Sequence, residues 1–307
     1  MCSRRSGVKG LGLLLIWILA GVRGDAEVES LSIATYNVAN YNLTDRQIEG
    51  AYLTAYPKPE VEKTALRAVI GALDADVLAL QEIGGDDFLR ELQRDLRSEG
   101  VDYPHAVSMR AIDEPRRLAV LSRVPFAAVR RHDDLDFKYF EGRELVKRGM
   151  LEVRFDTAAG EVALFVVHLK SKLTERRDDP EAEQRRGSEA TLARDRVLEV
   201  FPEPATARFV IAGDFNSGPT DRPVRAFSRR GDLEIARLIP AMDTRGETWT
   251  HRYQRNAVYS RVDLLMVSSP LEPRVVDGTA RIVDTPAVLR ASDHRPVVML
   301  LDLLRRE

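Results

Sequence analysis

Several apolar runs of this sequence end in polar residues that could bind a metal ion or move a proton. Residues 209–212 are apolar and lead into Gly213-Asp214-Phe215-Asn216, so a carboxylate and an amide follow a predicted buried strand. Side chains two residues apart on a strand point the same way, and ligands of α/β proteins gather beyond the carboxyl ends of strands. Taken alone, Asp214 and Asn216 fit an ordinary strand-ending turn equally well.

Comparable residues end or interrupt other stretches, and together they indicate a hydrolytic metal site. The whole set is Asn37, Glu82, His168, Asp214, Asn216, Asp263, Asp293 and His294. Carboxylate and amide oxygens suit Mg²⁺, Mn²⁺ or Ca²⁺ better than zinc. No serine or cysteine nucleophile motif accompanies the histidines, so acyl transfer is not indicated.

Each residue also has a structural interpretation. Glu82 is more typical of a cap for the turn after its strand, and His168 is equally typical of a hydrogen-bonded core histidine. Asp263 stands inside an apolar strand, where a charge requires a bonded partner. Asp293 and His294 precede a proline, a common turn composition, but a carboxylate beside an imidazole also positions a catalytic base. The set is therefore more specific than any of its members.

The elements that carry these residues follow from hydrophobic periodicity. It predicts helices over residues 59–73 and 87–97, a helix after the charged loop 174–189, a short helix from Pro223, and loops over 40–57 and 131–148. The predicted strands cover residues 31–37, 76–82, 118–122, 150–155, 162–168, 209–214, 262–267 and 297–301. The strand–helix–strand order around Asn37 and Glu82 recurs around His168 and Asp214, which predicts two packed sheets with one shared rim in a single domain.

The N-terminus has the composition of an export signal. Arg4, Arg5 and Lys9 precede the apolar run 11–22, and small residues flank Arg23 at a cleavage site. We therefore expect residues 1–24 to be a signal peptide, residues 25–307 to be the catalytic domain, and the protein to be periplasmic or extracellular. The run is shorter than the roughly 20 residues of a membrane span; an uncleaved anchor is the alternative.

Charge and cysteine content exclude some classes of function. The net charge of −2 becomes −6 without residues 1–24, because that segment contains four of the 46 lysines and arginines and none of the 48 acids. This argues against sequence-independent wrapping of nucleic acid, although not against a local basic groove. The single cysteine, Cys2, lies in the predicted signal, so the mature chain would have neither disulfides nor a cysteine nucleophile.

Six motifs occur in order along the chain: Tyr36-Asn37-Val38, Leu80-Gln81-Glu82, Val167-His168-Leu169-Lys170-Ser171, Gly213-Asp214-Phe215-Asn216, Arg261-Val262-Asp263 and Ser292-Asp293-His294-Arg295-Pro296. In this order they closely resemble the endonuclease/exonuclease/phosphatase superfamily, from about residue 31 to residue 301. The resemblance implies an α/β fold, a four-layer sandwich of two packed mixed or antiparallel β-sheets flanked by helices. It also implies hydrolysis of a phosphate ester by in-line attack of water, with Mg²⁺, or alternatively Mn²⁺ or Ca²⁺, as cofactor.

The resemblance further implies a role for each residue. Glu82 would be the main metal ligand, helped by Asn37 and Asp293. The catalytic residues would position water or contact the phosphate: Asp214 orients or deprotonates the water, Asn216 holds it or a phosphate oxygen, and His168 and His294, the latter steered by Asp263, contact the scissile phosphate. Additional phosphate contacts are expected from Lys170, Ser171, Arg117 and Arg148.

Departures from the superfamily pattern leave the substrate open. Ala39 replaces an acid that several nucleases carry, the disulfides of the deoxyribonuclease I type are absent, and Ser260-Arg261-Val262-Asp263 differs from the 5-phosphatase motif. No aromatic hairpin typical of secreted sphingomyelinases is evident near residues 270–290. Trp249 and Tyr253 are candidates for a wall against a base or sugar, Trp249 being slightly more typical of a core residue, and His132 and His251 are expected at the surface.

These observations favour an exported, Mg²⁺-dependent phosphodiesterase, most of all a nuclease-like enzyme that acts on nucleic acid or nucleotides. We expect a monomer without an obligate protein partner. The alternatives are a phosphomonoesterase or lipid phosphodiesterase of the same superfamily, and an inactive binding module.

Overall fold

Two large β-sheets pack face to face, and helices cover their outer faces. The structure is a computed structural model that describes residues 27–304, so the predicted signal peptide lies outside the described residues. The α-helices of this range are α1 (Glu60–Leu73), α2 (Asp86–Ser98), α3 (Glu183–Val200), α4 (Arg222–Ser228) and α5 (Val288–Ala291). Short 3₁₀ helices occupy Pro180–Ala182, Gln254–Asn256, Ser269–Arg274 and Val276–Gly278.

The strands are numbered in chain order. They are β1 (Ser30–Tyr41), β2 (Leu43–Ile48), β3 (Ala51–Pro57), β4 (Val77–Ile83), β5 (His105–Ser108), β6 (Arg117–Ser122), β7 (Ala128–His132), β8 (Asp136–Tyr139), β9 (Gly142–Leu145), β10 (Met150–Phe155), β11 (Val162–His168), β12 (Phe209–Asp214), β13 (Arg229–Arg230), β14 (Leu233–Glu234), β15 (Arg237–Leu238), β16 (Ala241–Met242), β17 (His251–Tyr253), β18 (Val258–Ser260), β19 (Asp263–Val267), β20 (Ala280–Ile282) and β21 (Val297–Asp302).

The first sheet has the strand order β16-β20-β21-β1-β4-β6-β5, and the second has the order β15-β19-β12-β11-β10-β7. In each sheet a central pair is parallel, β1 with β4 and β11 with β12. An antiparallel strand flanks each pair, β21 beside β1 and β19 beside β12. Four strands therefore end, and two begin, at the same rim of the molecule.

Alternating side chains of the central strands divide the core into three apolar layers. Ile33 of the first sheet and Leu164 of the second belong to the cluster between the sheets. Their neighbours face outward: Ala34 joins the cluster that includes residues of α1, α2 and α5, and Phe165 joins the cluster that includes residues of α3 and α4. Because strands covered on both faces bury every side chain, they read as continuous apolar runs. The predicted four-layer sandwich is confirmed.

Two predicted loops are wrong in part. Residues 43–57 form the β2–β3 hairpin, and residues 136–145 form the β8–β9 hairpin. Strand β1 also continues past Asn37 to Tyr41, although its register to β4 shifts between these two residues. Among residues 27–304, no helix combines the length and apolar character needed to cross a bilayer.

Candidate active site

The shared rim brings most of the predicted site residues together. Asn37 of the first sheet donates from Nδ2 to Asp214 Oδ2 of the second sheet at 3.1 Å. His168 Nε2 lies 3.5 Å from the same oxygen and 3.9 Å from Glu82 Oε1. His294 Nε2 lies 3.9 Å from Asp214 Oδ2. Asp214 is therefore at the centre of the group and links the two sheets.

Two strand irregularities shape the first-sheet side of the rim. The register of β4 shifts between Leu80 and Ile83, and Glu82 adopts a left-handed φ of 64°. Ala39 and Asn40, in the irregular part of β1, have φ of 48° and 54°. The backbone N–H of Asn40 donates to Glu82 Oε2 at 3.0 Å. Such bulges commonly redirect a side chain beside an active site, and here they position the Glu82 carboxylate.

Gly213 permits the close approach that places Asp214. Its φ is 149°, and a Cβ there would lie 1.9 Å from the carbonyl oxygen of Val167. Asp214 is buried, and its Oδ1 accepts the backbone N–H of Asn216 at 2.8 Å. Burial raises the pKa of Asp214 to about 6, against the opposing effect of the His294 charge. A carboxylate with a pKa near neutrality is suited to act as a general base.

His294 forms a buried pair with Asp263. Its Nδ1 lies 2.8 Å from Asp263 Oδ2, and the backbone N–H of Asp263 donates to Thr250 Oγ1 at 3.0 Å. Burial opposes protonation of His294, but the charges of Asp263 and Asp214 and the hydrogen bond to Asp263 raise its pKa to about 10. The imidazole is therefore a cation at neutral pH, with Nε2 directed to the side of Asp214. The partner that the sequence requires for Asp263 is His294.

His168 is the opposite case. Its side chain is 2% exposed, and its Nδ1 has no hydrogen-bond partner among the described residues. Burial, with added repulsion from Arg148, lowers the pKa of His168 well below its ordinary value. This histidine is neutral, whereas His294 is charged.

His251, predicted only as a surface residue, is a partly exposed residue of the site that the sequence did not reveal. It pairs with His294 in an isolated β-bridge, and the two rings are 4.5 Å apart. Its Nε2 lies 3.8 Å from Asp293 Oδ2. Burial opposes ionisation of Asp293, but His251 and the charge of His294 lower its pKa to about 2. Asp293 is therefore an anion at neutral pH.

The segment that carries His294 is anchored through the next residue. Arg295 is fully buried; its Nη1 donates to Asp243 Oδ2 at 2.9 Å, and its Nε donates to the carbonyl of Trp249 at 3.0 Å. Its guanidinium carbon lies 3.5 Å from the centre of the Trp249 ring. Trp249 thus supports this segment, although it is only partly buried and is not the core residue that its structural interpretation predicts.

The carboxylates of the rim match a divalent cation in charge and chemistry. Among the described residues, histidines are the only basic side chains within 4.0 Å of the carboxylates of Glu82, Asp214, Asp263 and Asp293; no lysine or arginine pairs with them. Two groups have ligand atoms close enough to share an ion, His251–Asp293–His294 and Asp214–Asp263–His294. Glu82 belongs to neither group. In the second group, Asp263 Oδ1 has no hydrogen-bond partner within residues 27–304. Oxygen-rich sites of this kind suit hard cations.

The remaining predicted site residues form contacts with other groups of the protein. Arg117 lies 3.4 Å from Asp86, Arg148 bonds Asp113 and the carbonyl of Leu169, and Lys170 Nζ donates to Ser171 Oγ and to carbonyls of its own loop. The side-chain amide of Asn216 donates to the carbonyl of Leu169 at 2.9 Å, so it braces the turn after β12.

The position predicted for His132 is also wrong. It is 7% exposed, and its Nε2 lies 2.8 Å from the buried Glu152. The expected surface position is wrong because β7 pairs with β10 and covers that carboxylate. His132 is a structural residue of the second sheet.

Comparison with known proteins identifies similar sequences and folds. The model of the Endonuclease/Exonuclease/phosphatase family matches residues 34–294. A search of curated proteins finds no match.

Solved structures share the fold at low identity. The human Nocturnin catalytic domain with bound sulfate anion is 15% identical with a TM-score of 0.60, over 90% of this chain and 95% of that chain. Sphingomyelinase C from Streptomyces griseocarneus is 15% identical with a TM-score of 0.58, over 89% and 99% of the two chains. Truncated Caenorhabditis elegans TDP2 is 16% identical with a TM-score of 0.57, over 89% and 97%.

Proposed function

Because this chain belongs to the endonuclease/exonuclease/phosphatase family, we propose that it is a Mg²⁺-dependent phosphodiesterase acting on nucleic acid or nucleotides. The observation that carries the proposal is the rim cluster, in which Asp214 Oδ2 lies 3.5 Å from His168 Nε2 and 3.9 Å from His294 Nε2. Phosphoryl transfer requires a positioned water and neutralised phosphate oxygens, and little other covalent chemistry from the protein.

The cation is assigned to the residues with hard oxygen donors. Glu82, Asn37 and Asp293 would hold it, because Glu82 Oε1 and the Asp293 carboxylate have no lysine or arginine partner within the described residues. When bound, a divalent cation neutralises charge on the non-bridging and leaving oxygens of the phosphate. Mn²⁺ and Ca²⁺ are alternatives with the same ligand preferences.

The chain's own residues supply the proton chemistry. Asp214 orients the attacking water and accepts its proton, held in place by Asn37 Nδ2 and the backbone N–H of Asn216. The imidazolium of His294 donates from Nε2 to a phosphate oxygen, while Asp263 accepts from Nδ1 and fixes the orientation of the ring. His168 approaches the phosphate from the side of Glu82 as a neutral hydrogen-bond donor.

The test is hydrolysis of bis-(p-nitrophenyl) phosphate and plasmid DNA with Mg²⁺, Mn²⁺, Ca²⁺ or chelator. We expect both substrates to be cut only with metal, and Asp214→Asn and His294→Ala to lose at least about 100-fold in turnover, as expected for an acid–base group. His105→Ala is the matched control, since this partly exposed histidine lies on β5, at the edge of the first sheet. Retained turnover in His294→Ala overturns the assignment, and hydrolysis confined to a phosphomonoester or to sphingomyelin vesicles replaces it with one of the alternatives.

The proposal includes export through the N-terminal signal, with the mature enzyme acting as a monomer in the periplasm or outside the cell. Arg4, Arg5, Lys9 and the apolar run that follows support this part. We expect the mature protein to begin near residue 25, which N-terminal sequencing of the exported protein checks. Recovery of the intact N-terminus in the membrane fraction would show an anchor instead.

A further inference from the structure

A cleft continues from the rim on the side of the β2–β3 hairpin. Its volume is about 380 Å³, within the range of small-molecule sites. It lies between the irregular end of β1, the hairpin, the turn after β17 and helix α5. The lining side chains that matter for its chemistry are Arg46, Lys58, Tyr253, Arg255, Arg290 and Asp293.

The cleft is basic, although the chain as a whole has a net charge of −2. Four cations line it, Arg46, Lys58, Arg255 and Arg290, against the two carboxylates of Glu62 and Asp293. Local positive charge on an acidic protein attracts an anionic ligand to that place specifically.

Two of these cations are available to a ligand. Lys58 is 3% exposed and already bonds Glu62 at 3.2 Å and the carbonyl of Ala39 at 3.1 Å. Arg46 donates to the carbonyls of Asn40 and Tyr56. Arg255 and Arg290 are exposed, and neither has a carboxylate within 4.0 Å in the part of the chain that the structure describes. Arginine guanidinium groups bind phosphate through paired hydrogen bonds.

The cleft and the catalytic rim share Asp293. This residue lines the cleft, and the next residue is His294. A ligand in the cleft is therefore adjacent to a phosphate bound at His294. Tyr253, 38% exposed, adds an aromatic face on the same side, and such faces stack bases of any sequence.

We propose that this cleft binds a second phosphate of the substrate at Arg255 and Arg290, with the adjoining base stacked on Tyr253. The enzyme then prefers diesters that carry another phosphate one nucleotide from the scissile bond. This inference rests on the proposed phosphodiesterase function and adds a substrate class to it: nucleotide chains of at least two phosphates rather than isolated diesters.

The test compares three probes: bis-(p-nitrophenyl) phosphate, the dinucleoside monophosphate thymidylyl-thymidine, and the same dinucleotide with a 5′- or 3′-terminal phosphate. In the native protein we expect one of the two terminal phosphates to lower KM by about tenfold, the effect of a charge-assisted contact. Arg255→Gln/Arg290→Gln should abolish this preference and leave the rate on bis-(p-nitrophenyl) phosphate within about twofold. Arg130→Gln is the matched control, because Arg130 is also exposed but lies on β7, at the far edge of the second sheet.

The outcomes separate this inference from the proposed function. If the native protein cuts the simple diester but neither terminal phosphate changes KM, or if the preference survives in the double variant, the cleft assignment is wrong. If no diester is cut, the proposed function fails, and calorimetry with thymidine 3′,5′-bisphosphate tests the cleft directly. Binding by the native protein that the double variant loses supports the cleft; equal binding by both, or none by the native protein, overturns it.

Discussion

Asp243→Asn should destabilise the protein by about 3 kcal/mol, because it breaks the buried ion pair that anchors the His294 segment. Neither side chain of the Asp243–Arg295 pair is exposed. Removing one partner of a buried pair costs about 3–5 kcal/mol, since the other charge stays buried. Asp284 and Glu247 lie 3.7 and 3.9 Å from Arg295 Nη1 and offset part of this loss, so we expect the lower end of the range.

The dependence of stability on pH should also differ between the native protein and Asp243→Asn. Burial opposes ionisation of Asp243, but hydrogen bonds from the Glu247 N–H and from Arg295 lower its pKa from 3.8 to about 2. That difference in pKa corresponds to about 2.5 kcal/mol of stability, at about 1.4 kcal/mol per pH unit. Because the folded pKa is depressed, this stabilisation is complete above pH 4 and disappears as the pH falls towards 2. A protonated Asp243 resembles asparagine, so the variant and the native protein should converge in stability over that window.

Urea unfolding at pH 7, 4 and 3 measures both quantities. The native midpoint should exceed that of Asp243→Asn by an amount that shrinks as the pH falls, with unchanged slopes. Asp232→Asn is the control, because the Asp232 side chain is fully exposed and 4.0 Å from Arg229; it should unfold like the native protein. Equal midpoints for Asp243→Asn and the native protein at pH 7 would refute the role of the pair, and a gap that does not change with pH would refute the electrostatic account.

Two further predictions concern the second sheet. Gly213→Ala should lower the free energy of unfolding by about 4 kcal/mol or more, because the added Cβ would meet a backbone carbonyl. The control is Gly231→Ala: Gly231 has a φ of 60° and no atom within 4 Å of an added Cβ, so this variant should lose only about 1–2 kcal/mol. Thermal unfolding of both variants checks this, and equal losses of stability would contradict it. Glu152→Gln should lose about 1.5–3 kcal/mol at pH 7. Burial opposes ionisation of Glu152, but His132 and Arg154 lower its pKa below 4.5, so the deficit should shrink below that pH; a constant deficit in acid denaturation would contradict it.

The sequence predicted the central strands and most of the rim for a common physical reason. Strands buried on both faces leave long apolar runs, and Glu82, His168 and Asp214 stand out as the polar residues that end them. The two halves of like construction then placed these residues at one rim, which the Asn37–Asp214 hydrogen bond confirms.

The features that the sequence did not predict depend on pairing between strands, which the local pattern of apolar residues does not show. Neither strand of the β2–β3 hairpin has a buried face, so no apolar alternation marks it. The signal that remains is Glu49-Gly50, where both residues adopt a positive φ, as in a two-residue hairpin turn. His251 reaches the site only through its bridge to His294, and His132 is buried only because β7 pairs with β10.

The strand order also governs when this molecule can become active during its synthesis. In the first sheet β21, one of the last elements of the described chain, lies between β20 and β1, which is the first strand. A ribosome must therefore release residues 297–302 before β1 gains its second neighbour, and His294 joins the rim only at that late stage. Until then the nascent polypeptide has an unpaired β1 edge and no complete catalytic group. Late completion of this kind leaves the rim site unassembled while the chain is being made.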